Sequence, residues 1–457
     1  MRFRIVFPAS QSTRPGWWSP VLALLLLQGT QSVLANAQAA PTPAAAPPLR
    51  LDSVYALVAA RSPRAQAAVA LARAAQARVA GASRPPDPDV QLGFMNYTLP
   101  SVKPDPALGM TQLQVMQMVP LPGKLSAAVS AARARADAAR ARATDAAWEA
   151  RSAAAMAYYE RYEAAGSVAI ARQTRRLLED VAEVASAMYR VGDGRQADVL
   201  RARVEIARMD EEVVRMGAML AGATARLAAA ADSPPDAVAG ASVLPAFPDT
   251  LPALETLESL AFETRPMLAA GAADVRAASA DARLARRELW PDLQVGVQYG
   301  QRRMEMGVDR MGSLMIGASL PIFARSRQLQ MREETAAMHQ MAEAELTAMR
   351  AETRSRLGEV FATLASTRRL RELYRATVLP QADAATMSAL ASYRSGAVDF
   401  MTVIDNQMGV NRYRQELFTL DAAEGRAWAE LEMLVGRPLL PQTNSASAFP
   451  RAGRGAP

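Results

Sequence analysis

One half of this chain resembles the other at a shift of about two hundred residues, so its fold must be one that a single unit builds twice. Pro88-Asp89-Val90-Gln91-Leu92-Gly93 matches Pro291-Asp292-Leu293-Gln294-Val295-Gly296, and Pro63 and Pro266 keep the same offset upstream. Val119-Pro120 then matches Leu320-Pro321, and Tyr189-Arg190-Val191-Gly192 matches Tyr393-Arg394-Ser395-Gly396. Alanine-rich sequence can imitate a repeat, but none of these anchors is alanine. The pattern places a first repeat at 49–232, a linker rich in Pro, Ala and Asp at 233–252, and a second repeat at 253–440.

Each repeat carries the same order of elements. An Ala/Arg-rich helix is expected to end near Pro85-Pro86 or at Trp290-Pro291, because proline disfavours helix in the residue before it. Val90 to Phe94 and Leu293 to Val297 then alternate with a period of two, as strands do. A loop rich in Gly, Pro and Met follows, and Thr111 to Val115 and Leu314 to Ala318 read as the second strand of each pair. From Lys124 to Arg190 there is no proline and one glycine, Gly166, which predicts a helix roughly 100 Å long. Its counterpart, Arg327 to Arg394, contains Pro380, where a kink or break is expected. Glycine turns the chain at Gly192 and Gly396, and helices return over Gln196 to Ala231 and Phe400 to Val435. Ile206, Met209, Val213, Met216 and Leu220 on one returning helix have coiled-coil spacing, as do Leu177, Val181, Val184 and Met188 on the outgoing one. Two strand pairs and two long antiparallel helical hairpins result. Hydrophobic residues make up 50% of the chain and aromatics only 5%, a balance that suits long alanine-rich helices.

The N-terminus reads as an export signal. Arg2, Arg4 and Arg14 precede the apolar run Val21 to Leu27, and Ala35-Asn36-Ala37 and Ala37-Gln38-Ala39 both fit small-x-small cleavage. Residues 1–37 are assigned to that signal and 38–48 to an Ala/Pro-rich lead-in, while Pro441 to Pro457 reads as a disordered tail. Beyond the signal no apolar stretch is expected to be long enough for a membrane helix, so any membrane entry would be as a β-barrel or by surface attachment.

Several function classes drop out. There is no cysteine and one histidine, His339, which excludes thiol catalysis, disulfides, lipidation at a cysteine and multi-histidine metal centres. No nucleophile-elbow, P-loop or paired-histidine spacing is present, so no enzyme activity and no cofactor are expected. The net charge of +7, from 52 Lys+Arg against 45 Asp+Glu, is too small for a dedicated nucleic-acid binder.

Four strands cannot close a membrane barrel, for which about eight is the usual minimum, but an oligomer can. At this point the sequence resembles the TolC-like outer-membrane efflux proteins, in the heavy-metal-efflux-like branch, over roughly Leu51 to Pro438. The resemblance rests on the duplication, on two Tyr-Arg-x-Gly hairpins followed by Asp198-Val199-Leu200 and Thr402-Val403-Ile404, and on Leu434-Val435-Gly436-Arg437-Pro438. It implies a mainly α chain with a membrane β-barrel. In a homotrimer this gives a twelve-strand barrel in the outer membrane of a Gram-negative bacterium, joined to a twelve-helix periplasmic tunnel. The implied partners are a periplasmic membrane-fusion adaptor, an inner-membrane RND-type pump and outer-membrane lipid.

The resemblance also implies roles for particular residues. Val191, Gly192, Asp193, Ser395, Gly396 and Ala397 match the tunnel tips that meet the adaptor; the alternative is that the glycines serve the turn alone. Asp198 and Tyr393 match a pair that holds neighbouring hairpins closed. The arginine that usually completes the network is replaced by Val398, which leaves Arg195 as a substitute. Asp405, with Thr402 where an acid is often found, matches a constriction, against the plainer reading of a solvated helix charge. Leu121-Pro122-Gly123-Lys124 is similar to the heavy-metal branch, which makes cations such as Cu(I) or Ag(I) a candidate cargo. Of the 23 methionines, Met304, Met306 and Met311 are weak candidates for soft-metal contact, with core packing as the competing explanation. The rival from another class is an exported periplasmic coiled-coil scaffold without channel activity.

Overall fold

The computed structural model describes residues 47–100, 103–105, 108–304, 307–319 and 323–441. The expected signal, most of the lead-in, the Leu320-Pro321 anchor, Met306 and the tail beyond Pro441 lie outside the described residues. The first repeat contains α1 (Leu51–Arg61), α2 (Pro63–Ala82), β1 (Asp89–Met95), β2 (Tyr97–Thr98), β3 (Lys103–Pro104), β4 (Met110–Val119), α3 (Lys124–Val191) and α4 (Gln196–Ala230). The second contains α5 (Leu254–Thr264), α6 (Pro266–Arg287), β5 (Leu293–Met304), β6 (Gly307–Ala318), α7 (Gln328–Leu373), α8 (Leu379–Arg394) and α9 (Phe400–Val435).

The long helix of the first repeat runs unbroken for 68 residues. In the second repeat the expected break at Pro380 is absorbed instead. The chain stays helical from Gln328 to Arg394 and widens into one π-helical turn at Tyr374–Val378, just before the proline. Proline has no N–H for the carbonyl four residues earlier, and a wider turn accommodates that loss without ending the helix. The second-repeat loop also differs from expectation. β5 and β6 pair as far as Met304 and Gly307, so Met304 and Met311 lie in strands. In the first repeat the equivalent stretch carries Pro100, Pro104 and Pro106, which cannot donate to a ladder. There the main pairing ends at Met95 and Met110.

The two repeats meet in one antiparallel sheet of order β1-β4-β5-β6. Met110 to Val119 of the first repeat pairs along Leu293 to Arg302 of the second. At its base, Lys124 Nζ reaches Asp292 Oδ1 at 2.7 Å and the Trp290 carbonyl at 2.9 Å, tying the start of α3 to the start of β5. Gly123 stands in the left-handed region (φ 93°), where a Cβ would meet the Arg287 guanidinium at 2.1 Å. The Leu-Pro-Gly-Lys motif therefore builds the junction between sheet and helices.

Alanine and glycine let the helices approach closely. On α3 and α9 the fit is reciprocal: a Cβ on Gly166 would lie 2.3 Å from the Phe418 ring, and one on Gly425 would lie 2.2 Å from the Tyr159 ring. These contacts are seven residues apart on both antiparallel helices, so one heptad sets both. The seam of α3 near its C-terminus is shifted from the predicted one. Ala171, Thr174, Leu178, Val181 and Ala185 are buried, whereas Leu177 is only half-buried. Among the described helices, α4 contains a window apolar enough to cross a membrane, contrary to expectation. In the fold it is a hairpin arm alongside α3.

A buried ionic cluster joins α7 to α9. Glu424 is fully buried and pairs with Arg371 and, at 3.4 Å, with Arg368; Asp421 lies 3.7 Å from Arg371 and Arg375. Burial raises the carboxyls of both acids, with the arginines opposing it. A folded-state pKa above the unfolded one means that the folded chain holds the proton more tightly. The cluster therefore favours folding most below the unfolded carboxyl range near about 4, and that advantage is lost as pH rises through the folded values.

Glu424→Gln, which is neutral at every pH, should flatten the slope of the unfolding midpoint with pH across the acid range, as read by circular dichroism melts. Gly425→Ala should cost about 1–3 kcal/mol by overpacking against Tyr159. Gly217→Ala, where a Cβ meets nothing within 4 Å, should be neutral or stabilising in the same melts.

Candidate functional site

The free ends of both hairpins form one core. Leu178, Val181 and Ala185 of α3, Ala202 and Met209 of α4, Ala389 and Tyr393 of α8, and Phe400, Val403 and Ile404 of α9 pack together. Tyr393 and Phe400 meet edge to face, with ring centroids 5.5 Å apart. Beyond this core the tips turn on Gly192 (φ 90°) and Gly396 (φ 74°), a region costly to residues with a Cβ. Neither Cβ would touch anything, so conformation and not space requires glycine there. Val191, Gly192, Asp193, Ser395, Gly396 and Ala397 are all exposed, which leaves both tips open to a partner.

The structure brings Asp198 and Tyr393 to the same hairpin ends. Asp198 is almost buried in the first turn of α4, and its charge contributes to the environment of Tyr393. The Tyr393 hydroxyl is buried and has no hydrogen-bond partner among the described residues. Burial raises its pKa first, and the charges of Asp198 and Asp399 raise it further. The expected bond between Asp198 and Tyr393 is not made within one chain. Arg195 caps α4 from an exposed position and forms no ion pair with Asp198 among the described residues, while Val398 packs against the tip core. Thr402 and Asp405 lie one turn apart on the exposed side of α9, away from Val403, Ile404 and Gln407. Asp405 has no ion pair among the described residues.

At the other end, the register sorts the sheet into two unlike faces. One carries Val90, Leu92, Phe94, Leu113, Val115, Val119, Leu293, Val295, Val297, Tyr299, Leu314 and Ile316. These side chains are exposed in the single chain, Leu314 at 69% and Ile316 at 75%. The opposite face carries glutamine, glycine, serine and methionine, including Gln91, Gln112, Gln114, Gln298 and Ser313. Met304 and Met311 share this polar face, but Met311 pairs with Gly300, four residues before Met304 on β5. Roughly 13 Å of strand separates them, so they do not converge. No group of three His, Cys, Asp or Glu that could hold a metal occurs among the described residues. Sequence reasoning missed the methionines of β4, although Met110-x-Gln112-x-Gln114-x-Met116-x-Met118 shows the period of two plainly.

The profile of the outer membrane efflux protein family matches residues 54–232 and 257–437, one match in each repeat. No curated protein sequence matches significantly. Among solved structures, the outer membrane protein VceC of Vibrio cholerae is 18% identical with a TM-score of 0.72, covering 85% of this chain and 96% of that one. CusC, described as a transmembrane channel, has 16% identity and a TM-score of 0.72, covering 85% and 92%. The MtrE outer membrane channel of Neisseria gonorrhoeae, in its open state, has 15% identity and a TM-score of 0.72, covering 87% and 91%. At such identities these likenesses are of fold. The duplicated family match covers most of the sequence and the fold agrees over the same length: the chain belongs to the outer membrane efflux protein family, channels of the Gram-negative outer membrane with a helical periplasmic part, and not enzymes.

Proposed function

We propose that this chain is the outer-membrane duct of a three-part export system, closed as a trimer and carrying heavy-metal cations such as Cu(I) or Ag(I). The observation that supports the duct most directly is the sheet, whose two faces suit lipid on one side and a wet lumen on the other. Its β1 and β6 edges are both unpaired in the single chain. Because each chain supplies an even number of antiparallel strands, β6 of one copy meets β1 of the next in antiparallel sense, and three copies close a ring. Members of the family are trimeric and work with periplasmic adaptors and inner-membrane pumps. In this reading the two exposed tips receive the adaptor. The unsatisfied Tyr393 hydroxyl takes its partner, Asp198, from a neighbouring hairpin in the closed state, with Arg195 close by. Asp405 of each copy, with Thr402 a turn away, forms a carboxylate ring that favours cations.

Single-channel recording of the purified oligomer, with its mass determined in the same preparation, tests the duct. A conducting, cation-selective trimer is expected; a non-conducting monomer would leave the exported scaffold as the better reading. Asp198→Ala should raise the conductance, and Tyr393→Phe should do so in the same direction; unaltered conductance in both would remove the gate assignment. On the sheet, Val297→Arg should cost about 2–4 kcal/mol and abolish heat-modifiable migration, because the charge would face hydrocarbon. Gln298→Arg, on the opposite face, should leave migration unchanged. The cargo is tested by the copper and silver tolerance of cells that depend on this channel, which should fall when the channel is lost.

A further inference from the structure

We infer that the polar face of the sheet holds a binding site for a soft monovalent cation, Cu(I) or Ag(I), at the row Asp89–Met116–Gly296–Met315. The site deepens the duct reading and rests on it, since it requires that this face line the lumen. Asp89 pairs with Met116, Met116 with Gly296, and Gly296 with Met315, so the four residues stand side by side across all four strands. Gly296 leaves a gap into which both methionines lean: its Cβ position is 3.1 Å from Met116 Cγ and 3.5 Å from Met315 Cε. Two methionine side chains thus approach one position without a side chain. At the end of the row stands the Asp89 carboxylate, which accepts from Gln91 Nε2 at 2.8 Å and forms no ion pair among the described residues.

The chemistry of the row selects its ligand. Thioether sulfur is a soft donor that prefers Cu(I) and Ag(I) to hard cations, and a nearby carboxylate offsets one positive charge. The next row, Gln91–Gln114–Gln298–Ser313, is neutral, and Gln114 Nε2 donates to Met116 Sδ at 2.7 Å. A bound cation would displace that weak bond, so binding is shallow and reversible, as a conduit requires. Packing does not account for these methionines. Met116 and Met315 are only partly buried, on a face that also carries Gln91, Gln112, Gln114, Gln298 and Ser313. The outer residues Met304 and Met311 lack the convergence seen here.

The test uses silver nitrate on the detergent-purified full chain, in chloride-free buffer. With no cysteine present, silver has no thiol to attack, so thioethers and His339 are its available soft sites. Isothermal titration should show a silver site whose dissociation constant rises at least about tenfold in Met116→Leu/Met315→Leu. Met304→Leu/Met311→Leu should bind as the wild type does. Leucine and methionine are close in volume, so the variant should fold, and its melting curve checks this. In planar bilayers the concentration of silver that halves the conductance should rise by a similar factor. Equal silver affinity in the wild type and Met116→Leu/Met315→Leu would overturn the site, as would a wild type that binds no silver but is blocked by the lipophilic cation tetraphenylphosphonium. Titration requires no conduction, so a non-conducting preparation would defeat the duct reading and still decide whether the row binds silver.

Discussion

The whole structure hangs on the 68-residue α3, which starts at the sheet and ends at a hairpin tip. An isolated helix of that composition has little reason to stay straight in water. What holds it is continuous burial against α2 and α6 near the sheet, then α9 and α4 toward the tip. Small residues make this possible, because alanine and glycine let neighbours approach until aromatic rings from one helix fill gaps in another. The reciprocal Gly166–Phe418 and Gly425–Tyr159 contacts fix the register of α3 against α9. Once that register is set, both hairpin tips fall into one core.

The same arrangement links the two ends of the molecule. Lys124 and Asp292 bind the sheet to the root of α3, and the ionic cluster of Glu424 and Asp421 with Arg368, Arg371 and Arg375 holds α9 to α7 between root and tip. Above the junction the sheet has one apolar face and one polar face. Below it the helices converge on tips whose buried Tyr393 hydroxyl has no partner among the described residues. An unsatisfied buried hydroxyl and two open sheet edges are costly in a lone chain. In the proposed ring of copies, neighbours supply what both are missing.

Much of this was legible in the chain before folding. The duplication, the strand pairs, the long helices and the turn glycines all depend on local rules: proline and glycine placement, a period of two, and heptad spacing. These rules act within a few residues, and here the local signals agree with one another. The prediction for α9 matched to the residue, and that for α3 to within one. The proposed gate pair rests on the resemblance alone; no spacing in the sequence connects Asp198 to Tyr393.

The tertiary structure decided what depends on partners distant in sequence. The helix passes Pro380 by way of the π turn at Tyr374–Val378, which packs against α9. The second-repeat loop became strand because β5 and β6 continue their ladder where the first repeat is interrupted by prolines. The buried seam of α3 moved to Leu178, since the side facing α4 also has to meet α8 and α9. Above all, register across four strands from two repeats placed Met116 and Met315 on either side of Gly296, with Asp89 beyond Met116, and kept Met304 apart from Met311. Sequence gives each strand its alternation and so its two faces. Which residues stand side by side across the faces is set by backbone pairing between segments nearly two hundred residues apart, and only the folded sheet contains that information.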